Sequence, residues 1–135
     1  MKFVLAMALS ILNVVAAFGV PALAERASLA MLDGLDRGNW ELRMRGINGD
    51  IESICLDNGR KLIQLRHPAE NCTSVIVDDT QAQVTVQYTC HGRGYGRTQI
   101  RRESSILAQI DSQGIANGLP FAFAAEARRV GECPN

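Results

Sequence analysis

Residues 74–90 read Ser-Val-Ile-Val-Asp-Asp-Thr-Gln-Ala-Gln-Val-Thr-Val-Gln-Tyr-Thr-Cys, and they decide the class of fold. β-Branched and aromatic residues stand on both sides of a short polar break, with polar residues between them, the pattern of a β-hairpin with one wet face. Strands are expected over 74–78 and 83–88, joined by a four-residue loop at 79–82. That loop sets Val77 opposite Val84 and Val75 opposite Val86, apolar against apolar. A shift of one residue would set those valines against Thr85 and Gln87 instead. In this register Cys90 lies across from Asn71, so Cys72 and Cys90 point to opposite sides of the sheet.

The same period of two recurs on either side of the hairpin. Trp40, Leu42 and Met44 alternate with Glu41, Arg43 and Arg45, which describes a strand with one apolar face. The Asn48-Gly49 dipeptide then suits a tight turn, and a second strand over 51–56 should return antiparallel. Downstream, 98–103 and 106–111 read as two further strands, with Ile106, Ala108 and Ile110 on one face. Gly92, Gly94 and Gly96 interrupt residues 91–97 at every second position and suggest a loop or bulge. Gly114, Asn117, Gly118 and Pro120 make the next loop. Residues 121–130 alternate Phe121, Phe123, Ala125 and Ala127 and are read as a last strand completing a meander. Two short helical pieces are expected. One spans 27–35, where Leu29, Leu32 and Leu35 line one face ahead of Gly34 and Gly38. The other lies within 57–67, behind a cap at Asp57 and before Pro68. The expected architecture is a small, mainly β, antiparallel meander, as a sandwich or an open barrel.

The first two dozen residues say where this domain matures. Lys2 is followed by an almost unbroken apolar run from Phe3 to Phe18, and Ala22-Leu23-Ala24 offers small residues for a signal peptidase. A signal peptide over 1–24 leaves one β-rich domain over 25–135, with no further run long enough to cross a membrane. Once Lys2 is removed, 13 basic residues face 14 acidic ones. That balance favours neither a nucleic acid nor an anionic membrane as partner.

Export gives the four cysteines a meaning. Cys55, Cys72, Cys90 and Cys133 contain no Cys-x-x-Cys pair for zinc or redox chemistry, and in an oxidising compartment they read as two structural disulfides. The hairpin register disfavours Cys72 with Cys90. Of the two pairings left, Cys55 with Cys72 and Cys90 with Cys133 is preferred. It closes the helical excursion onto its neighbouring strand and ties down the C-terminus.

No constellation of catalytic or metal-binding residues is legible. His67 and His91 sit at element ends beside Pro68 and Gly92, where turn or surface histidines are ordinary. A hydrolase would need one of them to converge with an acid or a serine, and Ser104 and Ser105 lack the nucleophile elbow. No cofactor motif is present. Asn71-Cys72-Thr73 matches a glycan acceptor only formally. Trp40 reads as a core anchor. Arg93, Tyr95, Arg97, Arg101 and Arg102 form the one candidate interaction patch, suited to an anionic partner such as an envelope polymer.

Several motifs together carry a family resemblance. They are Gly-x-Trp-Glu-Leu at 38–42, Ile54-Cys55-Leu56, Tyr88-Thr89-Cys90 with the glycine-rich segment after it, and the closing Arg-Arg-Val-Gly-Glu-Cys at 128–133. The set resembles a bacterial exported family, domain of unknown function 3617, over nearly the whole mature chain. The resemblance implies a Gram-negative source, export to the periplasm or beyond, a cysteine framework and a mainly antiparallel β domain. It transfers no catalytic residue. The function expected from all this is a non-catalytic envelope module that binds an unidentified protein or polymer. The alternative is a carrier of a small apolar ligand, in a β-lined cavity formed by residues such as Trp40, Phe121 and Phe123.

Overall fold

A computed structural model of the chain describes residues 28–46, 48–68 and 71–135. The leader read at 1–24 lies outside the described residues. Seven strands form one antiparallel sheet: β1 (Gly38–Met44), β2 (Ile51–Leu56), β3 (Cys72–Asp79), β4 (Gln83–Cys90), β5 (Gly94–Ser104), β6 (Leu107–Ala116) and β7 (Leu119–Gly131). Their order across the sheet is β2-β1-β7-β6-β5-β4-β3. Strands β3 to β7 are the expected meander. The β1–β2 hairpin joins its far side because β1 pairs with β7, which leaves β2 and β3 as the two edges. This is one open sheet, not two packed ones.

Alternation along the strands divides the sheet into an apolar inner face and a polar outer face. The inner face carries Trp40, Leu42, Val84, Val86, Tyr88, Ile100 and Ile110, each at most 1% exposed. It is covered by the short helix α1 (Ala30–Asp33) and by residues 57–68, which contain a 3-10 turn at Gly59–Leu62. Leu29, Leu32 and Leu35 all point into this core as their spacing predicts, although only four residues between them are helical. The Asp79 carboxylate at the end of β3 accepts the backbone N–H groups of Ser28 (2.8 Å) and Leu29 (3.1 Å), which fixes where α1 begins. The 3-10 turn is capped by Asn58, whose side chain accepts from Arg60 N, and not by Asp57 as expected. Trp40 is a core anchor, with its indole N–H donating to the Asp36 carbonyl at 2.9 Å.

The β3–β4 hairpin departs from the expected register, and the disulfides follow from that. Its loop has three residues, 80–82, because the Thr80 hydroxyl accepts from Ala82 N and Gln83 N while donating to Gln83 O. Asp79 therefore faces Val84, and a bulge at Val77 shifts the ladder once more so that Ile76 faces Val86. Ile76 turns inward, while Val75 and Val77 stand on the wet side, 67% and 48% exposed. The same shift brings Cys72 directly opposite Cys90, with Cα atoms 4.2 Å apart. The bridges are Cys72–Cys90 and Cys55–Cys133, and this overturns both the excluded pair and the preferred pairing.

The glycine-rich segment is strand, not loop. Only 91–93 form a turn, and β5 starts at Gly94, whose φ of 123° and whose approach to the Ile115 carbonyl admit no side chain. The Tyr88 ring lies where a Cβ on Gly96 would be. Absence of side chains lets three strands close around a buried tyrosine. Likewise β6 continues to Ala116 and β7 begins at Leu119. The connection is the two-residue turn Asn117-Gly118, with φ of 51° and 78°. Residues 121–130 are strand as expected. Ile106 falls in the turn between β5 and β6 and is 42% exposed, apart from the buried Ala108 and Ile110.

Non-reducing peptide mapping is expected to recover one peptide joining positions 72 and 90 and another joining 55 and 133. Replacing Cys55 and Cys133 together by serine releases a 78-residue separation and should lower stability by about 4 kcal/mol, against about 3 kcal/mol for Cys72 and Cys90. Urea midpoints of the two double variants measure the difference.

Candidate functional site

The strand registers place the outer-face side chains in rows. Gln87, Arg97, Gln113 and Ala122 lie opposite one another on β4 to β7. Thr85, Gln99, Asp111 and Ala124 form the next row. On the other side, Tyr95 stands between Thr89 and Ile115 with half its surface exposed. Where the long polar side chains give way to Ala122 and Ala124, the surface falls into a trough. It consists of two adjoining depressions of about 530 and 410 Å³ that share Arg97, Gln113 and Ala122. Tyr95 lines one end and Arg45 the other.

Several outer-face side chains are paired with each other. Arg101 meets Glu103 at 3.4 Å, Arg128 meets Glu126 at 3.2 Å, and Gln109 takes Arg45 on one side and gives to Glu103 on the other. Hydrogen bonds from Arg128, then Gln109, hold the Glu126 carboxyl below the usual carboxylate range. Five side chains of the trough differ. Gln87, Arg97, Gln99, Asp111 and Gln113 are exposed, and their side chains make no hydrogen bond or ion pair among the described residues. Donors and acceptors of both charge types are therefore presented outward over a floor of alanines.

The patch expected from the sequence is divided by the fold. Tyr95 and Arg97 lie at the trough. Arg101 is on the same face but engaged with Glu103. Arg102 points to the inner side, where its guanidinium reaches the Gly34 carbonyl at 3.4 Å. Arg93 is in the β4–β5 turn, and its carbonyl accepts from Asn117 N. The expected patch omitted Arg45, Gln87, Gln99, Asp111 and Gln113. The signal that would have found them is the period of two itself, since each is an outward position on its strand or, for Arg45, just beyond its end.

His67 is a second correction. It is 4% exposed, not a surface residue. Its Nε2 is 3.2 Å from the Arg93 carbonyl, which only accepts, so Nε2 carries the proton. Nδ1, 3.1 Å from the Tyr88 hydroxyl, then accepts from it. Phe121 packs edge-on to the imidazole at 6.2 Å and stacks at 6.3 Å on Phe123, over which the Arg66 guanidinium lies. His91 is exposed in the turn. Among the described residues no three His, Cys, Asp or Glu side chains gather as metal ligands. Trp40 is wholly buried and lines neither depression of the trough.

Comparison of the chain with protein-family models, curated proteins and solved structures gave no match.

Burial pushes the Tyr88 phenol above its ordinary range. Below about pH 10 the group is neutral in both folded and unfolded chains; above it the unfolded chain ionises first, so stability falls as pH rises. Tyr88→Phe should remove that alkaline loss while costing about 1–2 kcal/mol at neutral pH, because His67 Nδ1 loses its donor. Denaturant midpoints between pH 8 and 11 test both effects.

Proposed function

We propose that this chain is a non-catalytic binding domain of the bacterial envelope, exported to the periplasm or beyond, which holds an envelope polymer across the outer face of its sheet. The observation that carries this reading is the gathering of five exposed side chains without partners among the described residues, Gln87, Arg97, Gln99, Asp111 and Gln113, along one trough of the outer face. Exposed Arg97 and three glutamines beside an exposed tyrosine ring suit a hydroxyl-rich chain, which takes hydrogen bonds along its length and stacks on one aromatic. Two disulfides, and the absence among the described residues of any helix able to cross a membrane, fit an extracytoplasmic placement. The resemblance to the exported family of unknown function 3617 supports the same compartment. Binding is favoured over proton-transfer chemistry because both ring nitrogens of His67 are engaged within the protein.

Co-sedimentation of the oxidised protein with purified peptidoglycan sacculi tests the proposal. Binding should be retained by Arg128→Ala and weakened about tenfold by Arg97→Ala, the loss expected for one charge-assisted hydrogen bond. Equal binding by both variants, or none by the wild type, would overturn it.

A further inference from the structure

The two edges of the sheet are not equivalent. Strand β3 is bulged at Val77 and ends in Asp78 and Asp79, devices that discourage a further strand from adding. Strand β2 pairs with β1 in unbroken register over its whole length. The direction of its remaining hydrogen bonds follows from parity. Met44 N donates to the Asp50 carbonyl at 2.8 Å, so residues 52 and 54 also exchange bonds with β1, and residues 51, 53 and 55 turn theirs to the open side. The ladder on the other side of β1 agrees, since Arg45 N donates to Ala124 O. On the open side the Cys55 carbonyl accepts from Lys61 Nζ at 3.3 Å. The Ser53 N–H and carbonyl and the Cys55 N–H have no partner among the described residues.

This edge is exposed and borders a cleft. Residues 57–68 stand off from β2 and leave a space of about 600 Å³, with Leu42 and Ile54 on one side and Leu65 and Pro68 on the other. Its charged lining is polarised. Lys61 lies at the Cys55 end, bonded to that residue's carbonyl and 3.1 Å from Asp57, while Glu52 lies toward the other end, 3.4 Å from Arg66. An apolar small molecule would fill the volume without engaging the backbone groups of β2. An extended peptide satisfies both.

We propose that the cleft receives an extended peptide, which adds antiparallel to β2 as an eighth strand. It bonds to the free backbone groups of Ser53 and Cys55 and places alternate apolar side chains against Leu42, Ile54 and Leu65. Antiparallel addition puts the start of the peptide near Lys61 and its end near Glu52, so the favoured segment is acidic first and basic last. The site is separate from the outer-face trough and does not depend on it.

The probe is the blocked pentapeptide Glu-Val-Thr-Val-Lys, titrated into the oxidised full-length mature chain while backbone amides are followed by NMR. Saturable shifts are expected at Ser53 and Cys55 and not at Tyr95 or Arg97. N-methylation of the central threonine amide should weaken binding about tenfold, as for one lost hydrogen bond. Lys61→Glu, an exposed position, should reverse the preference between this peptide and its charge-swapped counterpart, Lys-Val-Thr-Val-Glu. No shifts at millimolar peptide, indifference to N-methylation, or dodecanoate binding the cleft in preference to the peptide would each overturn the proposal. The last outcome would assign the cleft to a small apolar ligand.

Discussion

The antiparallel ladder between β1 and β7 is the constraint on which the rest of this molecule depends. It joins the first strand of the domain to the last, with Trp40 beside Arg129 and Leu42 beside Ala127, residues far apart in the chain. Such a contact is costly to form, because the intervening loop must be ordered before the pairing stabilises it. Three features bring it within reach. The hairpin β1–β2 and the meander β3–β7 are each local. The Cys55–Cys133 bridge spans β1 and ties β2 to the tail of β7. Trp40, on the strand that must dock, carries a large apolar surface that is fully buried once it does.

The ladder also explains why residues 57–68 lie where they do. Since β2 and β3 end at opposite edges of the sheet, the chain between them must cross the inner face. Leu62 and Ile63 bury there, and the Ile63 carbonyl accepts from Thr98 Oγ1 at 2.6 Å in the middle of the sheet. On the β2 side the crossing stands off, with Leu65 and Pro68 facing Leu42 and Ile54 across a space and Lys61 reaching over to the Cys55 carbonyl. The cleft beside β2 is therefore a consequence of topology: a seven-stranded face is wider than one short crossing and a four-residue helix can cover.

Alternation made most strands legible, because a sheet with one wet face repeats every two residues and so does its sequence. β1, β4 and β7 were readable on that basis, β2 from the turn at Asn48-Gly49, and the burial of the leucines at 29, 32 and 35 from their spacing of three. What was not readable came from single atoms that override a pattern. The Thr80 hydroxyl shortens the hairpin loop by one residue and the bulge at Val77 shifts the ladder by another, so three consecutive β-branched residues offered no clue to which of them faced inward. The disulfide pairing failed with that register. The glycine-rich segment misled for a related reason. Glycine is read as a strand breaker, whereas Gly94 and Gly96 are glycine because Ile115 and Tyr88 occupy the places their side chains would take.

The trough and the buried histidine show the same division between pattern and partner. That Arg97, Gln99, Asp111 and Gln113 face outward follows from period two alone. That they are unpaired while Arg101, Glu103, Glu126 and Arg128 are paired depends on which residues the register sets side by side. Alanines at 122 and 124, which in isolation suit a helix as well as a strand, become meaningful only as the low floor beside those longer side chains. His67 is reached from residues 21 and 26 positions away in the chain, Tyr88 and Arg93, and no local signal reports such a meeting. Its two hydrogen bonds anchor the end of the inner-face crossing to β4 and to the turn after it. The histidine thus ties to β4 and its following turn the stretch that also carries Leu65 and Pro68, the apolar wall of the cleft.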